Sequence, residues 1–258
     1  MTAARRSGEI AIGFLPIALV VALWHGIAMS GIAPAVLLPP PAAVFTRLIE
    51  QAVNRQFLDN AAVTLYRLFA GFSIAVVIGV TLGVAATGSK AVEGIVKPLV
   101  RVLAPVPKVA LYPAMILILG FDDASKIALV VADAVFPILL ATWQGTAAVE
   151  PKLVWSARAA GTSRRAALFK IVLMAALPSV LTGCRIGLII SCIVVFLAEM
   201  ITSTDGLGYL LVRAGRNFQT VDMFVPLISI SILGLTLNAA FNMLRRWLLR
   251  GFAEEGQP

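Results

Sequence analysis

The chain has 258 residues, 60% of them hydrophobic and 13% charged, with a net charge of +8 and a mean hydropathy of +0.95. A water-soluble domain of this length lacks the polar surface to cover so much apolar side chain, which excludes a soluble fold. The positive charge sits between apolar blocks, as on the inner face of a membrane protein, and does not point to nucleic acid.

Six apolar runs are each long enough to cross a hydrocarbon core of ~30 Å, which takes about 20 residues. They are 10–29, 68–88, 102–121, 127–149, 180–203 and 223–244. The reading is an all-α membrane protein with about six transmembrane helices, forming a single domain over 1–258. Arg5 and Arg6 precede the first run, which is too long for the core of a signal peptide and is read as an uncleaved span. With both termini placed in the cytosol, the cytosolic segments hold 13 basic residues and the outer ones 6, Arg67 among the latter. That excess puts the termini and the loop 150–177 on the cytosolic side of the membrane.

In chain order, Pro39, Pro40 and Pro41 precede Val44, Phe45, Leu48, Ile49, Ala52 and Val53 at helical spacing, an amphipathic helix on the outer surface. The third run carries Pro105, Pro107 and Pro113, which remove helix donors and predict a kink. Lys108 sits beside it, either lining a pathway or reaching back to the headgroups. Asp133 in the fourth run and Glu199 in the fifth are ionisable groups at depth, either a gate or substrate contact or anchors with polar partners on neighbouring helices. Arg185 reads as an anchor, and Cys184 and Cys192 as packed thiols. Gly206 and Gly208 suit a tight turn before a short helix over 209–215. The last helix closes on LRRWLLRGF, an interface anchor, ahead of a frayed tail over 253–258.

The sequence has no G-x-x-x-x-G-K-[ST] and no H-E-x-x-H, and His25 is the only histidine. No catalytic residue, metal site or cofactor is therefore assigned to this chain, which leaves transport or a scaffold. An ion-gradient-driven secondary transporter would carry matched broken helices in two halves, and the proline breaks here gather in one run. The loop 150–177 reads as a short helix after Pro151, a break at Gly161, and a second helix from Arg164 capped by Thr162 or Ser163. Its small residues allow close backbone approach by a partner, and its cations suit acidic lipid headgroups equally well.

In that loop Ala157, Gly161, Ile171 and Leu173 stand in the register of a known motif: Glu-Ala-Ala, three residues, Gly, nine residues, Ile, any residue, Leu, Pro. The loop resembles the coupling loop of bacterial ABC importer permeases. The resemblance runs over about 63–246 and includes TLYRLFAGF, PVPKVALYP, FPILLATWQG, ALPSVLTGCRIGL and AEM followed by GLGYL. This set is similar to the nitrate/sulfonate/taurine-type permeases. Trp155, Ser156 and Met174 depart from the motif, which has Glu, Ala and Pro there. The resemblance implies a type I importer fold with a cytosolic coupling helix between helices 4 and 5. It also implies a second copy of the permease, two ATP-binding subunits that hold ATP and Mg, a periplasmic or lipid-anchored solute-binding protein, and surrounding lipid. The residues expected to contact the ATP-binding subunit are Trp155, Ser156, Ala157, Arg158, Ala159, Ala160 and Gly161. Those expected at the translocation path or gate for a small solute are Pro105, Pro107, Lys108, Asp133 and Glu199.

Overall fold

The computed structural model describes residues 3–32, 34 and 36–252, with side chains from residue 15 onward. Arg5, Arg6 and the tail over 253–258 therefore lie outside what it describes in side-chain terms. The regular elements among the described residues are all helical: α1 (Ala3–Met29), α2 (Pro41–Ala52), α3 (Arg55–Gly88), α4 (Lys90–Leu103), α5 (Tyr112–Leu119) and α6 (Asp123–Ala147). They continue with α7 (Pro151–Ala159), α8 (Arg164–Ala167), a π turn over Leu168–Val172, α9 (Leu173–Ala175), α10 (Leu177–Thr202), α11 (Leu207–Arg216) and α12 (Thr220–Leu248).

α3, α6 and α10 form the core, and small residues let their backbones approach. A Cβ added at Gly71, Gly79 or Gly83 of α3 would lie 2.6–2.9 Å from Val130, Ile138 or Thr142 of α6. Gly183 and Gly187 of α10 meet Ala141 and Ile138 in the same way. Leu68, Leu129, Val130 and Val195 fill the space between these notches. α12 closes one side of the bundle. α1 meets it where Trp24 stacks on Phe224 at 5.4 Å and donates from Nε1 to the Pro39 carbonyl at 3.0 Å.

Four helices are long and apolar enough to cross a membrane: α3, α6, α10 and α12; of the expected first span, 10–29, the part described with side chains, Leu15–Met29, is a shorter apolar helix. The expected third span, 102–121, is not one helix. α4 ends at Leu103, a 3₁₀ turn runs over Lys108–Leu111, and the two segments meet at 88°. Pro105 and Pro107 supply no amide hydrogens at the break. The second span begins thirteen residues before its expected start at 68, at Arg55, because Asn54 caps the helix by accepting from the Gln56 and Phe57 amides. Arg67, assigned from sequence to an outer segment, is thereby carried inside α3. α2 matches the expected amphipathic helix, α11 matches the short helix after Gly208, and both cysteines are buried and free.

Two helices end in the same way with different residues. α7 closes in a Schellman motif: the Gly161 amide donates to Arg158 and the Thr162 amide to Ala157, with Gly161 at φ +87°. α11 closes with the identical pair of bonds, Phe218 to Gly215 and Gln219 to Ala214, but the residue at positive φ is Phe218 at +57°. That backbone is free to glycine and costs about 1–2 kcal/mol for an L residue with a Cβ.

Candidate functional site

Three polar groupings stand out against the apolar bundle. The first is a clasp at the end of the core where α6 begins and α10 ends. Asn60, Thr64 and Arg67 fall on one face of α3 at i, i+4 and i+7. Arg67 donates from Nε to Asp123 at 2.7 Å, from Nη1 to Glu199 at 2.9 Å and from Nη2 to Asp205 at 2.5 Å. Thr64 donates to the Glu199 carboxylate and accepts from the Leu207 amide at 2.9 Å. The Gly208 amide donates to Glu199 at 3.1 Å, and the Gly206 amide to Asn60 at 2.7 Å. Lys126, also buried, donates to the carbonyls of Phe121 and Asp122.

Arg67 is 2% exposed and Glu199 1%. Such burial is tolerable only because each group is neutralised and hydrogen-bonded on several sides. The turn over 203–206 is shaped to fit: Gly206 takes φ +97°, and a Cβ there would fall 2.3 Å from the Glu199 carboxyl. Burial disfavours the ionised Asp205, but the hydrogen bond and charge of Arg67 outweigh it and hold this carboxyl below its ordinary value.

The second grouping lies at the α4–α5 break. Lys108, 8% exposed, donates from Nζ to the Ala104 carbonyl at 2.9 Å, sits 4.5 Å from the centre of the Phe136 ring, and approaches Asp133 at 3.6 Å. Pro105 and Pro107 are exposed on the same turn. The structure thus joins Lys108 to Asp133 and leaves Glu199 in the separate clasp, closed in by α3 and the Ser203–Gly208 segment. Arg185 donates to Asn238 of α12 at 2.9 Å, the polar partner on a neighbouring helix expected of an anchor.

The third grouping is the hairpin over 151–175, at the opposite end of the core from the clasp. Its second arm is tied down: Ser163 caps α8 by accepting from the Ala166 amide, Arg164 donates to the Gly88 carbonyl at 3.0 Å, and Leu168 packs on Gly88. Its first arm is not. α7 has no buried residue; Trp155 is 66% exposed, Ser156, Arg158, Ala159, Ala160 and Gly161 are exposed, and Ala157 is half-buried. No ion pair among the described residues involves the hairpin's cations. Between this arm and the ends of α3 and α6 lies a cavity of about 280 Å³ bordered by Thr87, Thr146, Trp155 and Arg158.

Sequence reasoning found Lys108, Asp133, Glu199 and the hairpin, but missed Arg67 and Thr64. Their signal is the polar i, i+4, i+7 face of α3, which lies ahead of the apolar run that starts at 68.

Residues 75–254 match the family described as binding-protein-dependent transport system inner membrane component. The chain is 31% identical to the putative aliphatic sulfonates transport permease SsuC of Bacillus subtilis over 92% of this chain and 86% of that protein. It is 32% identical to the Escherichia coli SsuC, over 94% and 92%, and 29% identical to the E. coli taurine transport permease TauC, over 94% and 90%. Among solved structures it superposes on a chain of the inward-facing MetNI methionine ABC transporter with a TM-score of 0.66 at 19% identity, covering 76% of this chain and 98% of that one. A chain of a bacterial alginate ABC transporter, solved with an alginate-bound periplasmic protein, gives 0.63 at 13% identity, covering 98% of each.

Proposed function

The chain belongs to the binding-protein-dependent transport system inner membrane components, the permeases of ABC importers, and from that premise we propose how its three polar groupings divide the work. The hairpin over 151–175 is the coupling element: α7, from Trp155 to Gly161, seats on a separate ATP-binding subunit at the cytosolic face. The observation that carries this is an arm with no buried residue and an exposed tryptophan, held in place by a second arm tied to α3. A free helix on a fixed base can transmit a partner's closure to the core.

Two copies of the chain, two ATP-binding subunits and an outer solute-binding protein make up the importer, with both termini and the hairpin in the cytosol. ATP and Mg are held by the partner subunits. ATP shifts the core between inward- and outward-facing states only through contacts that differ between those states, and α7 is where such contacts can form. The Lys108–Asp133 pair at the helix break serves the translocation path, because broken backbone at this depth needs a protein or water-filled lining. The cargo is a small sulfonate, taurine, nitrate or a similar solute. A sulfonate would compete with Asp133 for the Lys108 ammonium. Glu199, fully occupied by its own chain, supports the path from the clasp.

The test is reconstitution of the chain in liposomes with a candidate ATP-binding subunit and a candidate solute-binding protein from the same organism. Labelled taurine or an alkanesulfonate should enter only with all three components and ATP. Uptake that runs without ATP and follows an imposed ion gradient would overturn the reading.

A further inference from the structure

We propose that the gap between the first half of α10 and the last half of α12, with Arg185 on one wall and Asn238 and Arg245 on the other, binds a small monoanionic oxyanion of the sulfonate class. Its role rests on the importer reading above: the solute occupies this station on its way to the cytosol.

The first observation is a missing counter-ion. α10 carries no acid before Glu199, and α12 carries none after Asp222. Arg185 and Arg245 form no ion pair among the described residues. The cations elsewhere in the bundle are answered: Arg67 meets three carboxylates, Lys108 approaches Asp133, and Lys126 donates to two carbonyls. A guanidinium at membrane depth is costly until something neutralises it. For this pair the anion comes from outside.

The second observation is the aim of Arg185. Its Nε donates to Asn238 Oδ1 at 2.9 Å, and its two Nη groups have no partner among the described residues. Arg185 lies eight residues into α10 and Asn238 ten before the end of α12, about 12 and 15 Å from those ends. The bond thus turns the guanidinium across the gap, whereas a snorkelling arginine runs along its helix to the headgroups. The free Nη edge is a planar fork that matches two oxygens of an oxyanion. Asn238, accepting through Oδ1, keeps its amide donor beside that fork.

The third observation continues the site toward the end of α12. Asn238, Asn242 and Arg245 share one face at i, i+4 and i+7. Leu237 and Phe241 pack against the clusters that hold Val180, Cys184 and Leu188 of α10, which turns this face to the gap. Arg185, Asn238, Asn242 and Arg245 are all half-buried, and Arg245 Nε is buried with no hydrogen-bond partner. A lining that offers donors suits a ligand that only accepts. A sulfonate, ionised and without a proton to give, is such a ligand. Depth separates it from lipid: a phosphodiester stays near the helix ends, while a solute inside the path reaches the level of Arg185.

The test titrates the full chain in phosphatidylcholine nanodiscs with ethanesulfonate and, as an uncharged control, dimethyl sulfone. The parent should bind ethanesulfonate and ignore the sulfone. Arg185→Gln should weaken binding about tenfold or more, as for loss of a charged hydrogen-bond donor. Asn238→Asp supplies within the chain the acid that the gap lacks. It should keep or raise the melting temperature and still lose ethanesulfonate binding, an outcome that misfolding cannot imitate. Ethanesulfonate bound equally by the parent and both variants, or by none of them, would overturn the proposal. A melting temperature raised by phosphatidylglycerol in the parent but not in Arg185→Gln, with ethanesulfonate without effect, would give the site to a lipid headgroup and overturn it too. In liposomes with candidate ATP-binding and solute-binding proteins, Arg185→Gln should slow uptake of labelled taurine about tenfold; uptake equal to the parent's would remove the site from the path. Ethanesulfonate binding that follows the variants in a parent that takes up nothing with ATP would bring down the importer reading and leave the anion site standing.

Discussion

At one end of the α3–α6–α10 core, Arg67, Lys126, Asp123, Glu199 and Asp205 meet with every charge answered from within the chain. At the other end, Lys152, Arg158, Arg165 and Lys170 have no acidic partner among the described residues, and Trp155 projects from a helix with no fully buried residue. The contrast separates two jobs. A closed network holds three helices and the 203–208 segment in one arrangement. On the proposed reading, the open surface is where the ATP-binding subunit seats. Substitutions at the closed end should therefore register in stability, and those at the open end in assembly and coupling.

The largest effect belongs to Arg67→Ala. It strands Glu199 inside the bundle without its cation, a loss of about 3–5 kcal/mol for a buried pair broken on one side. Thermal unfolding in detergent should drop sharply and the yield of monodisperse chain with it; an unchanged midpoint would mean that the clasp holds nothing. Gly206→Ala comes next. Its Cβ would sit 2.3 Å from the Glu199 carboxyl on a backbone at φ +97°, and strain of this kind is of order 1–3 kcal/mol. The same denaturation measurement should place it between Arg67→Ala and the parent. Of the three, Gly161→Ala has the smallest effect on stability. No neighbour lies within 4 Å of the added Cβ, so only the φ of +87° opposes it, at about 1–2 kcal/mol borne locally by the hairpin. Global unfolding should barely move, while proteolysis of the 151–175 segment should quicken. A large drop in global stability would show that the hairpin is part of the core after all.

The same contrast explains what was legible in the sequence. The hairpin could be read because its signals are local: Pro151 starts a helix, Gly161 stops it, and Ser163 caps the next. The clasp could not, because Arg67 and Glu199 are 132 residues apart and Thr64 is 143 from Leu207. A long-range polar match leaves no periodicity to find. Even so, the i, i+4, i+7 face of Asn60, Thr64 and Arg67 was present, hidden by starting the helix at 68 when Asn54 already caps it. Lys108 and Asp133 were each visible as charges at depth, but their pairing depends on the turn at Pro105 and Pro107. Prolines announce that a helix breaks; the angle, 88° here, is set by what packs around the break.

The central claim is that α7 is built for a partner and contributes nothing to its own fold. Trp155→Ala tests it most directly, read two ways on the same preparation: the melting temperature of the isolated chain, and the affinity of the ATP-binding subunit for it. The account predicts a midpoint within about 0.5 kcal/mol of the parent, as for an exposed residue, and an affinity weakened about tenfold or more, as for an aromatic anchor at an interface. A variant that binds the ATP-binding subunit as tightly as the parent and supports the same ATP-dependent uptake would contradict it.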